Sequence, residues 1–341
     1  MKTITKLRIA ALLASGGAML GLSTAVQAAE GGSGVYALGY ISPQAGLMPD
    51  AGTYASVNYY GYRGSSTSSV SAAGQIPVAG THLKLPVQLS GNLKTQVESS
   101  SSLLSLTHIF KEKVLGGQAG LAVLLPYASA NLDLSASGVL SLKGPTGHVH
   151  NLSLSGNDNA SNSALGDTTV SGLLGWHDGR LHSMAMLNVY APTGSYDKNR
   201  LINVGRNHWA VEPMAALTYL NETSGLEVSG AAGLTINQKN PDTEYKSGQE
   251  FHIDLSTIQH FSERFYLGVA GYAYQQMTAD SGSGATTAYK GRVYAAGPIM
   301  GGIIPLGQSQ KLFINARYYQ ETGVENRLKG NTFFLTATVK F

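Results

Sequence analysis

The last eleven residues of the chain, Asn331 to Phe341, alternate between two kinds of side chain. One alternate set is almost entirely apolar and consists of Asn331, Phe333, Leu335, Ala337, Val339 and Phe341. The interleaved set is mostly polar and consists of Thr332, Phe334, Thr336, Thr338 and Lys340. Because successive strand residues point to opposite faces, this pattern predicts a β-strand with one apolar and one polar side. Such a strand needs an apolar medium against one of its faces.

The predicted strand finishes on an aromatic residue of its apolar face, Phe341. This ending resembles the C-terminal strand with a terminal Phe that the outer-membrane assembly machinery recognises. We therefore expect Phe341 to act as an assembly signal, and the barrel assembly machinery to be a partner of the chain. The alternative is the closing strand of a soluble sandwich.

The start of the chain has the pattern of a secretory signal peptide. Lys2, Lys6 and Arg8 precede an apolar run from Ile9 to Val26, and small residues follow up to Ala28. A charged region, an apolar region and a small-residue exit are the three parts of such a peptide. We predict cleavage after Ala28 and leave residues 1–28 out of the fold. No later segment offers the ~18 apolar residues that a transmembrane helix needs.

Composition narrows the class of protein. Charged residues make up 13% of the chain, about half of the ~25% that is usual in globular domains. Tyrosine occurs 18 times, and its ring with a polar tip suits the interfacial girdles of membrane barrels. The net charge of +3 without a basic cluster argues against a nucleic-acid partner. With 0 Cys in the chain, disulfides and thiolate sites are excluded.

Strand-like segments recur along the chain, and their connections alternate in length. The predicted strands are residues 53–63, 95–110, 118–131, 168–177, 180–190, 208–220, 225–236, 249–260, 264–277, 290–304, 310–322 and 330–341. Short connections fall at 111–117, 178–179, 221–224, 262–263 and 305–309. Long ones fall at 64–94, 132–167, 191–207, 237–248 and 278–289, with a shorter one at 323–329. Short turns at one end and long loops at the other are typical of outer-membrane barrels.

The predicted fold is therefore all-β, a transmembrane antiparallel up-and-down β-barrel of about twelve strands. Residues 53–341 form the barrel, with short periplasmic turns and long extracellular loops. Fourteen strands remain the alternative, because Ser-rich and Gly-rich sequence between 64 and 110 could hide two more. Residues 29–52 precede the barrel as a periplasmic segment, either a plug in its mouth or a tail. The location this fold predicts is the outer membrane of a Gram-negative bacterium, in contact with lipid and lipopolysaccharide.

Several strands carry polar residues on one face opposite an apolar face. Because a charge facing lipid costs ~2–4 kcal/mol at the bilayer midplane, these residues should face the lumen. The predicted lumen-lining residues are Glu212, Glu227, His252, Asp254, Gln276 and Arg317. Buried charges need partners, so the set is either a structural network or a substrate path. The segment 118–127 is apolar on both faces and is expected to give an apolar stretch of interior.

Several motifs resemble a family of outer-membrane proteins named for the meta-pathway of phenol degradation. The motifs are Gly34–Gly39, Pro49–Tyr54, Ala191–Tyr196, Trp209–Pro213, Asn237–Asp254, Gly271–Gln276, Gly297-Pro298 and Glu325-Asn326-Arg327. The resemblance implies a channel or transporter for small hydrophobic or aromatic compounds, associated with aromatic catabolism. It implies no catalytic residue.

Two classes of function remain open. The first is uptake of a small hydrophobic solute, and the second is a structural or adhesive barrel acting through exposed loops without transport. An enzyme is not expected, because His148, His150, Ser153 and Ser155 fall in a predicted loop that fixes no catalytic geometry. No cofactor or metal is expected either, since two histidines alone do not complete a metal site.

Overall fold

The computed structural model describes residues 34–41, 43–78, 81–283, 285, 290–307 and 310–341. In this part of the chain there are thirteen strands. They are β1 (Gly52–Pro77), β2 (Lys84–Val114), β3 (Gly117–Lys143), β4 (Val149–Leu165), β5 (Thr168–Asp178), β6 (Leu181–Ala191), β7 (Ala210–Asn221), β8 (Leu226–Asn237), β9 (Glu250–Ser262), β10 (Phe265–Gln276), β11 (Arg292–Leu306), β12 (Gln310–Glu325) and β13 (Lys329–Lys340). Over the same residues, helices long and apolar enough to cross a membrane are absent. The predicted signal peptide 1–28, its cleavage site after Ala28, and residues 29–33 and 42 lie outside the described residues.

The alternation at the end of the chain does produce a strand with two different faces. β13 pairs antiparallel with β1, from Tyr54 opposite Lys340 to Ser65 opposite Lys329. Phe333 and Leu335 are 38% and 41% exposed, whereas Phe334 between them is 0% exposed. The period of two therefore separates an outer apolar face from an inner packed face, as expected for a pleated strand.

Twelve of the thirteen strands form a closed ring. Neighbours run in the order β2, β1, β13 and then down in sequence from β12 to β5, followed by β3, and an additional pairing of β2 with β3 closes the circle. β4 is the extra strand, which pairs with β3 at the end of the order. Closure leaves no free edge in the ring, which is the condition for a sheet in lipid. The predicted antiparallel barrel of about twelve strands is confirmed, and the alternative of fourteen is wrong.

Two of the predicted long loops are wrong. Residues 64–94 and 132–167 are mostly strand, because β1 continues to Pro77, β2 begins at Lys84, β3 continues to Lys143 and β4 spans Val149–Leu165. The missed signal is again a period of two, for example Leu85, Val87 and Leu89 alternating with Lys84, Pro86 and Gln88. Frequent Ser, Gly and Asn residues hid this alternation. His150, Ser153 and Ser155 accordingly lie on β4 and not in a loop.

The remaining connections alternate as predicted. At one end, here called the turn end, the connections are short, for example the hairpin between β5 and β6 at Gly179. At the other, here called the loop end, residues 192–209, 238–249 and 277–291 join β6 to β7, β8 to β9 and β10 to β11. The tight β2–β3 turn places Leu115 and Gly116 at φ of 50° and 75°. Both central residues at positive φ mark the turn type that suits the right-handed twist of a hairpin.

The chain divides into two compact units. In the first, Thr67–Thr95 and Asp133–Asp158 contain parts of β1 to β4. In its part of β2, Leu85, Val87, Leu89 and Leu93 fall on alternate positions, and Ser, Asn and Gly are frequent throughout the unit. The second unit comprises the described residues of Val26–Ser66, Gln96–Leu132 and Asn159–Phe341, and it holds the barrel.

The interior of the barrel unit contains the described residues between Gly34 and Asp50, here called the N-terminal segment. Ala45 packs in a buried cluster with Met186, Met214, Ala216 and Ala231. Met48 is buried with Tyr54 and Ile109. Leu38 and Tyr40 pack against a third cluster that includes Tyr319 and Phe334. The hydrophobic core of this barrel is thus formed between the segment and the inner faces of the strands.

Candidate functional site

All six residues predicted to line the lumen are buried, with exposed fractions of 2% or less. They are Glu212 on β7, Glu227 on β8, His252 and Asp254 on β9, Gln276 on β10 and Arg317 on β12. On β9 the adjacent Phe251 and Leu255 are 38% and 52% exposed. The polar side chains therefore lie on the opposite face from the exposed apolar ones.

Asp254 holds the N-terminal segment through three donors. The Tyr36 hydroxyl donates to Asp254 Oδ2, and the backbone N–H of Ile41 donates to the same oxygen at 3.3 Å. The backbone N–H of Gly39 donates to Oδ1 at 3.2 Å. Burial and the Asp254 carboxylate raise the pKa of Tyr36 well above its usual range, so its hydroxyl keeps the proton that it donates.

Arg317 binds the same stretch of segment from the other side. Its Nη1 donates to the carbonyl oxygens of Gly39 at 3.1 Å and Tyr40 at 2.8 Å. Its Nη2 donates to Thr336 Oγ1 at 3.2 Å, and its guanidinium carbon lies 4.6 Å from the centroid of the Phe334 ring. Asp254 on β9 thus binds backbone N–H groups of one turn of the segment, and Arg317 on β12 binds backbone carbonyl groups of the same turn.

Glu212 and His252 form a buried polar cluster beside Tyr36. His252 Nε2 lies 3.0 Å from Glu212 Oε1, and the Tyr36 ring stacks on the imidazole at 3.8 Å between centroids. Tyr190 Oη donates to Glu212 Oε2 at 2.6 Å, and Thr235 Oγ1 donates to Oε1 at the same distance. With this many partners, Glu212 is a well-satisfied buried carboxylate.

Glu227 binds the segment nearer the turn end. The backbone N–H of Gln44 donates to its Oε1 at 2.8 Å, and His260 Nε2 lies 2.7 Å from its Oε2. Two residues on, the backbone N–H of Gly46 donates to Thr218 Oγ1 at 2.9 Å. These contacts continue the attachment of the segment along β7 and β8.

Gln276 does not take part in this attachment. Its Nε2 donates to Asp280 Oδ1 at 2.6 Å, and the backbone N–H of Gly291 donates to its Oε1 at 3.3 Å. Both partners belong to the connection between β10 and β11. Gln276 therefore holds a loop at the loop end, whereas the other five residues meet the segment or a side chain that contacts it.

The sequence reasoning missed Tyr36, Tyr190 and Thr218. Tyr190 and Thr218 share the parity of buried residues on β6 and β7, so the alternation would have found them if neutral polar side chains had been counted. Tyr36 lies ahead of the first strand, where no periodicity assigns a direction to a side chain.

A cavity of about 430 Å³ lies between the segment and the opposite wall of the barrel. Leu103, Leu124, Pro126, Leu173 and Met184 give it an apolar wall. Ser, Thr and Asn side chains and the rings of Tyr36, Tyr40 and Tyr190 also line it, and the charged residues that border it are Asp167 and Arg317. Leu124 and Pro126 come from the segment 118–127, which does provide an apolar stretch of interior. We call this space the inner cavity.

A second cavity, of about 260 Å³, borders the first and is here called the outer cavity. Both spaces touch Val35, Tyr36, Leu103, Pro126 and Tyr190. The outer cavity also reaches residues 202–204 and Arg327 at the loop end. The two cavities therefore adjoin along the side of the barrel that the N-terminal segment leaves unfilled.

Among the described residues, no group of three or more His, Asp or Glu side chains has the geometry of a metal site.

The fold is similar to that of a known channel. The crystal structure of the COG4313 outer membrane channel from Pseudomonas putida F1 superposes with a TM-score of 0.59 at 15% identity, covering 88% of this chain and 100% of that chain. A Pseudomonas aeruginosa FadL homologue gives a TM-score of 0.43 at 11% identity, covering 89% of this chain and 93% of that chain. None of the proteins with curated functions matches the sequence.

One family profile matches residues 55–337, which span nearly the whole barrel. Its description is "Putative MetA-pathway of phenol degradation". This agrees with the motifs quoted from the sequence alone. The chain belongs to the family with that description.

Proposed function

We propose that the chain is an outer-membrane channel for the uptake of small hydrophobic or aromatic compounds. Its family is tied by description to phenol degradation, and the structure that resembles its fold is named an outer membrane channel. The exposed face of the strands carries apolar side chains such as Leu217, Leu255 and Val269, which are 56%, 52% and 60% exposed. Lipid and lipopolysaccharide of a Gram-negative outer membrane are the surroundings that satisfy this face.

The adjoining cavities are the observation that carries the proposal. An inner space of about 430 Å³ falls within the ~300–1,000 Å³ typical of ligand pockets. A single benzene molecule occupies an engineered cavity of ~150 Å³ in another protein. The inner cavity is therefore large enough for a one-ring compound, and its wall of Leu, Pro and Met side chains favours an uncharged one.

The N-terminal segment acts in this proposal as a plug within residues 29–52. It is attached through Asp254, Arg317 and Glu227 to strands β8, β9 and β12. The five predicted lumen residues near it then have a structural role, holding the plug to one side of the barrel. The cavities along the opposite side provide the path for the solute.

Uptake by cells tests the proposal. A Gram-negative host that lacks the gene and one that expresses it would be compared for initial uptake of radiolabelled toluene and phenol, because lipopolysaccharide slows the entry of such solutes. We expect several-fold faster uptake with the protein present. Equal uptake in the two strains, with the barrel folded in the outer membrane, would contradict a transport function.

A second function is supported by the first compact unit. Its hairpin strands carry many Ser, Asn and Gly side chains, and β4 is exposed along most of its length. A structural or adhesive barrel acting through such strands would need no conduction. In that case loss of the gene would alter surface attachment of the cells and leave solute uptake unchanged.

In this proposal the barrel assembly machinery is a partner of the chain, and the chain catalyses no reaction. The Phe341 side chain is 71% exposed next to β13, and its backbone N–H donates to Thr53 O at 2.8 Å. An exposed aromatic side chain at the β1–β13 seam is suited to contact the barrel assembly machinery, so Phe341→Ala should slow insertion. The chain acts as a conduit and not as an enzyme, with no cofactor, metal or nucleic-acid partner.

A further inference from the structure

The outer face of the barrel changes character along β1. Val57 is an exposed apolar side chain on this face, and Tyr59 is the next outward residue. The Tyr59 ring lies 6.3 Å from that of Phe333 between centroids, and it extends over Gly61, where a Cβ would lie 3.4 Å from its Cε1. Arg63 follows on the same face with an exposed side chain. The face therefore passes from apolar to aromatic to charged towards the loop end.

The charged residues on this face indicate its depth in the membrane. Arg63 Nε lies 2.8 Å from Glu98 Oε1 of β2, and both side chains are exposed. A cation that faces lipid is costly at the bilayer midplane and costs little near an interface. Aromatic side chains of membrane barrels also collect at the interfaces. Because the loop end faces the cell exterior, this level of the outer face lies among the headgroups of the outer leaflet.

A groove of about 530 Å³ lies at this level and is here called the seam groove. Five neighbouring strands line it, namely β12, β13, β1, β2 and β3. Gly61, Ser100 and Ser129 are small residues in its lining, and its charged lining residues are Arg63 and Glu98. Most of the lining residues point outwards, and the exceptions by parity are Tyr62, Ser99 and Thr332. The groove is therefore an external one without net charge.

The lining offers hydrogen-bonding groups beside aromatic rings. Asn131 and Asn331 border the groove, and each amide both donates and accepts. The guanidinium of Arg63 has four N–H donors besides the Nε–H that faces Glu98. Sugar rings carry C–H groups on their faces and hydroxyls at their edges, so they suit a ring next to mixed donors and acceptors. A phospholipid headgroup has few hydroxyls, and the Arg63–Glu98 pair provides no net positive charge for its phosphate.

We propose that the seam groove binds the sugar backbone of one lipopolysaccharide molecule of the outer leaflet. The lipid A disaccharide packs against Tyr59 and Phe333. Its hydroxyl and amide groups hydrogen-bond with Arg63 and Asn331, and its acyl chains continue along the apolar outer face towards the turn end. The bound lipid covers the pairing of β1 with β13, the first and last strands. This inference concerns the outside of the barrel and does not depend on solute passage.

Lipid binding to the purified protein tests the proposal. Delipidated protein in detergent would be titrated with lipid A, monophosphoryl lipid A or phosphatidylglycerol, and bound lipid would be counted by native mass spectrometry. For the wild-type chain we expect one tightly bound lipid A and a similar Kd for the monophosphoryl form, because the sugar is the recognised part. The Kd for phosphatidylglycerol should be about 10-fold higher, since its headgroup forms fewer of the hydrogen bonds.

Two variants alter the groove in different ways. Arg63→Ala removes its cationic donor, and Ser100→Trp fills its space. Each should raise the Kd for lipid A about 10-fold. One control is Lys311→Ala, which removes the cation of an exposed ion pair with Glu263 at the turn end. The other is Ser102→Trp, which adds the same ring to the same face of β2 outside the groove. Both controls should bind lipid A as the wild type does.

Each result has a separate meaning. If the wild-type chain binds phosphatidylglycerol as tightly as lipid A, or loses binding with the monophosphoryl form, recognition of the sugar is overturned. Unchanged lipid A binding by Ser100→Trp would overturn the location in the seam groove. If Arg63→Ala does not fold, Ser100→Trp and the comparison of lipids on the wild-type chain decide. Solute uptake by cells is a different measurement, so failure of this inference is distinguishable from failure of the channel proposal.

Discussion

The hydroxyl of Tyr36 donates a hydrogen bond to the carboxylate of Asp254, which lies 218 residues further along the chain. The same carboxylate accepts the backbone N–H groups of Gly39 and Ile41. A single side chain of β9 therefore anchors a whole turn of the N-terminal segment. Removing it tests whether the segment is a fixed part of the interior.

Asp254→Ala should release the segment, because the Tyr36 hydroxyl and the Gly39 N–H lose their acceptor and the Ile41 N–H keeps only Tyr36 Oη. Hydrogen bonds to a charged group contribute ~1.5–3 kcal/mol each in folded proteins. The chain has 0 Cys, so an Ala37→Cys reporter can be labelled with a maleimide. We expect labelling at least tenfold faster with Asp254→Ala than without it. Asp178→Ala, at the exposed β5–β6 turn, is the control. Equal labelling rates for the reporter alone, the reporter with Asp254→Ala and the reporter with Asp178→Ala would show that Asp254 does not restrain the segment.

Arg317→Ala should lower barrel stability more than Arg317→Lys. The alanine leaves the Tyr40 carbonyl without its donor, at a cost of ~1–3 kcal/mol for a group left buried and unpaired. The Gly39 carbonyl and the Thr336 hydroxyl each lose one hydrogen bond but keep Tyr319 and Asn58 as partners. Lysine keeps the charge but lacks the planar fork. The measurement is the temperature at which the detergent-solubilised barrel loses its compact gel migration. Identical temperatures for wild type and Arg317→Ala would contradict the anchoring role.

Gly46→Ala should displace the segment near the turn end. A Cβ at Gly46 would lie 2.6 Å from the carbonyl oxygen of His182 and 2.7 Å from the backbone nitrogen of Thr218. Both are strand backbone atoms that cannot move aside without breaking the sheet. We expect larger single-channel conductance in planar bilayers. Gly172→Ala is the matched control, since its Cβ would meet nothing within 4 Å, and conductance unchanged in both would argue against a plug.

Leu124→Trp should slow uptake by filling the inner cavity. Leu124 borders that cavity, whereas its neighbour Val123 is 40% exposed on the outer face. The larger side chain removes space of the size that a one-ring solute needs. Toluene uptake is expected to fall several-fold for Leu124→Trp and to stay near the wild-type rate for Val123→Trp. A path that avoids this cavity would leave both variants as fast as the wild type.

Leu255→Arg should destabilise the barrel in lipid. Leu255 lies in the middle of β9 and is 52% exposed on its outer face. A cation facing lipid costs ~2–4 kcal/mol near the midplane and ~0–1 near an interface. Phe261→Arg, at the turn end of the same strand and 65% exposed, should cost much less. Urea unfolding in lipid vesicles measures the free energy of unfolding of both variants. Equal losses of unfolding free energy would mean that Leu255 does not lie within the hydrocarbon core of the membrane.

The sequence predicts the barrel strands well because their alternation is a local property. A period of two in residues 331–341 is enough to assign a strand and its two faces. The same parity accounts for the burial of residues such as Glu212 and Asp254. In β1 to β4, Ser, Gly and Asn occupy so many positions that the sequence resembles a loop.

The interior contacts lie beyond sequence reasoning of this kind. Residues 34–41 have no periodicity, so nothing local indicates that Tyr36 stacks on His252. Such a contact depends on the three-dimensional arrangement of strands that are more than two hundred residues away. The cavities have the same origin, because their volume is what remains after the segment has packed to one side.

The seam between β1 and β13 has a consequence for folding. The N-terminal segment precedes β1, yet its anchors lie on β8, β9 and β12, and Tyr54 at the start of β1 pairs with Lys340 at the end of β13. The attachment of the segment and the closure of the seam therefore both depend on contacts between the two ends of the chain. Contacts this distant in sequence form slowly. We therefore expect closure of the barrel and packing of the N-terminal segment inside it to be coupled.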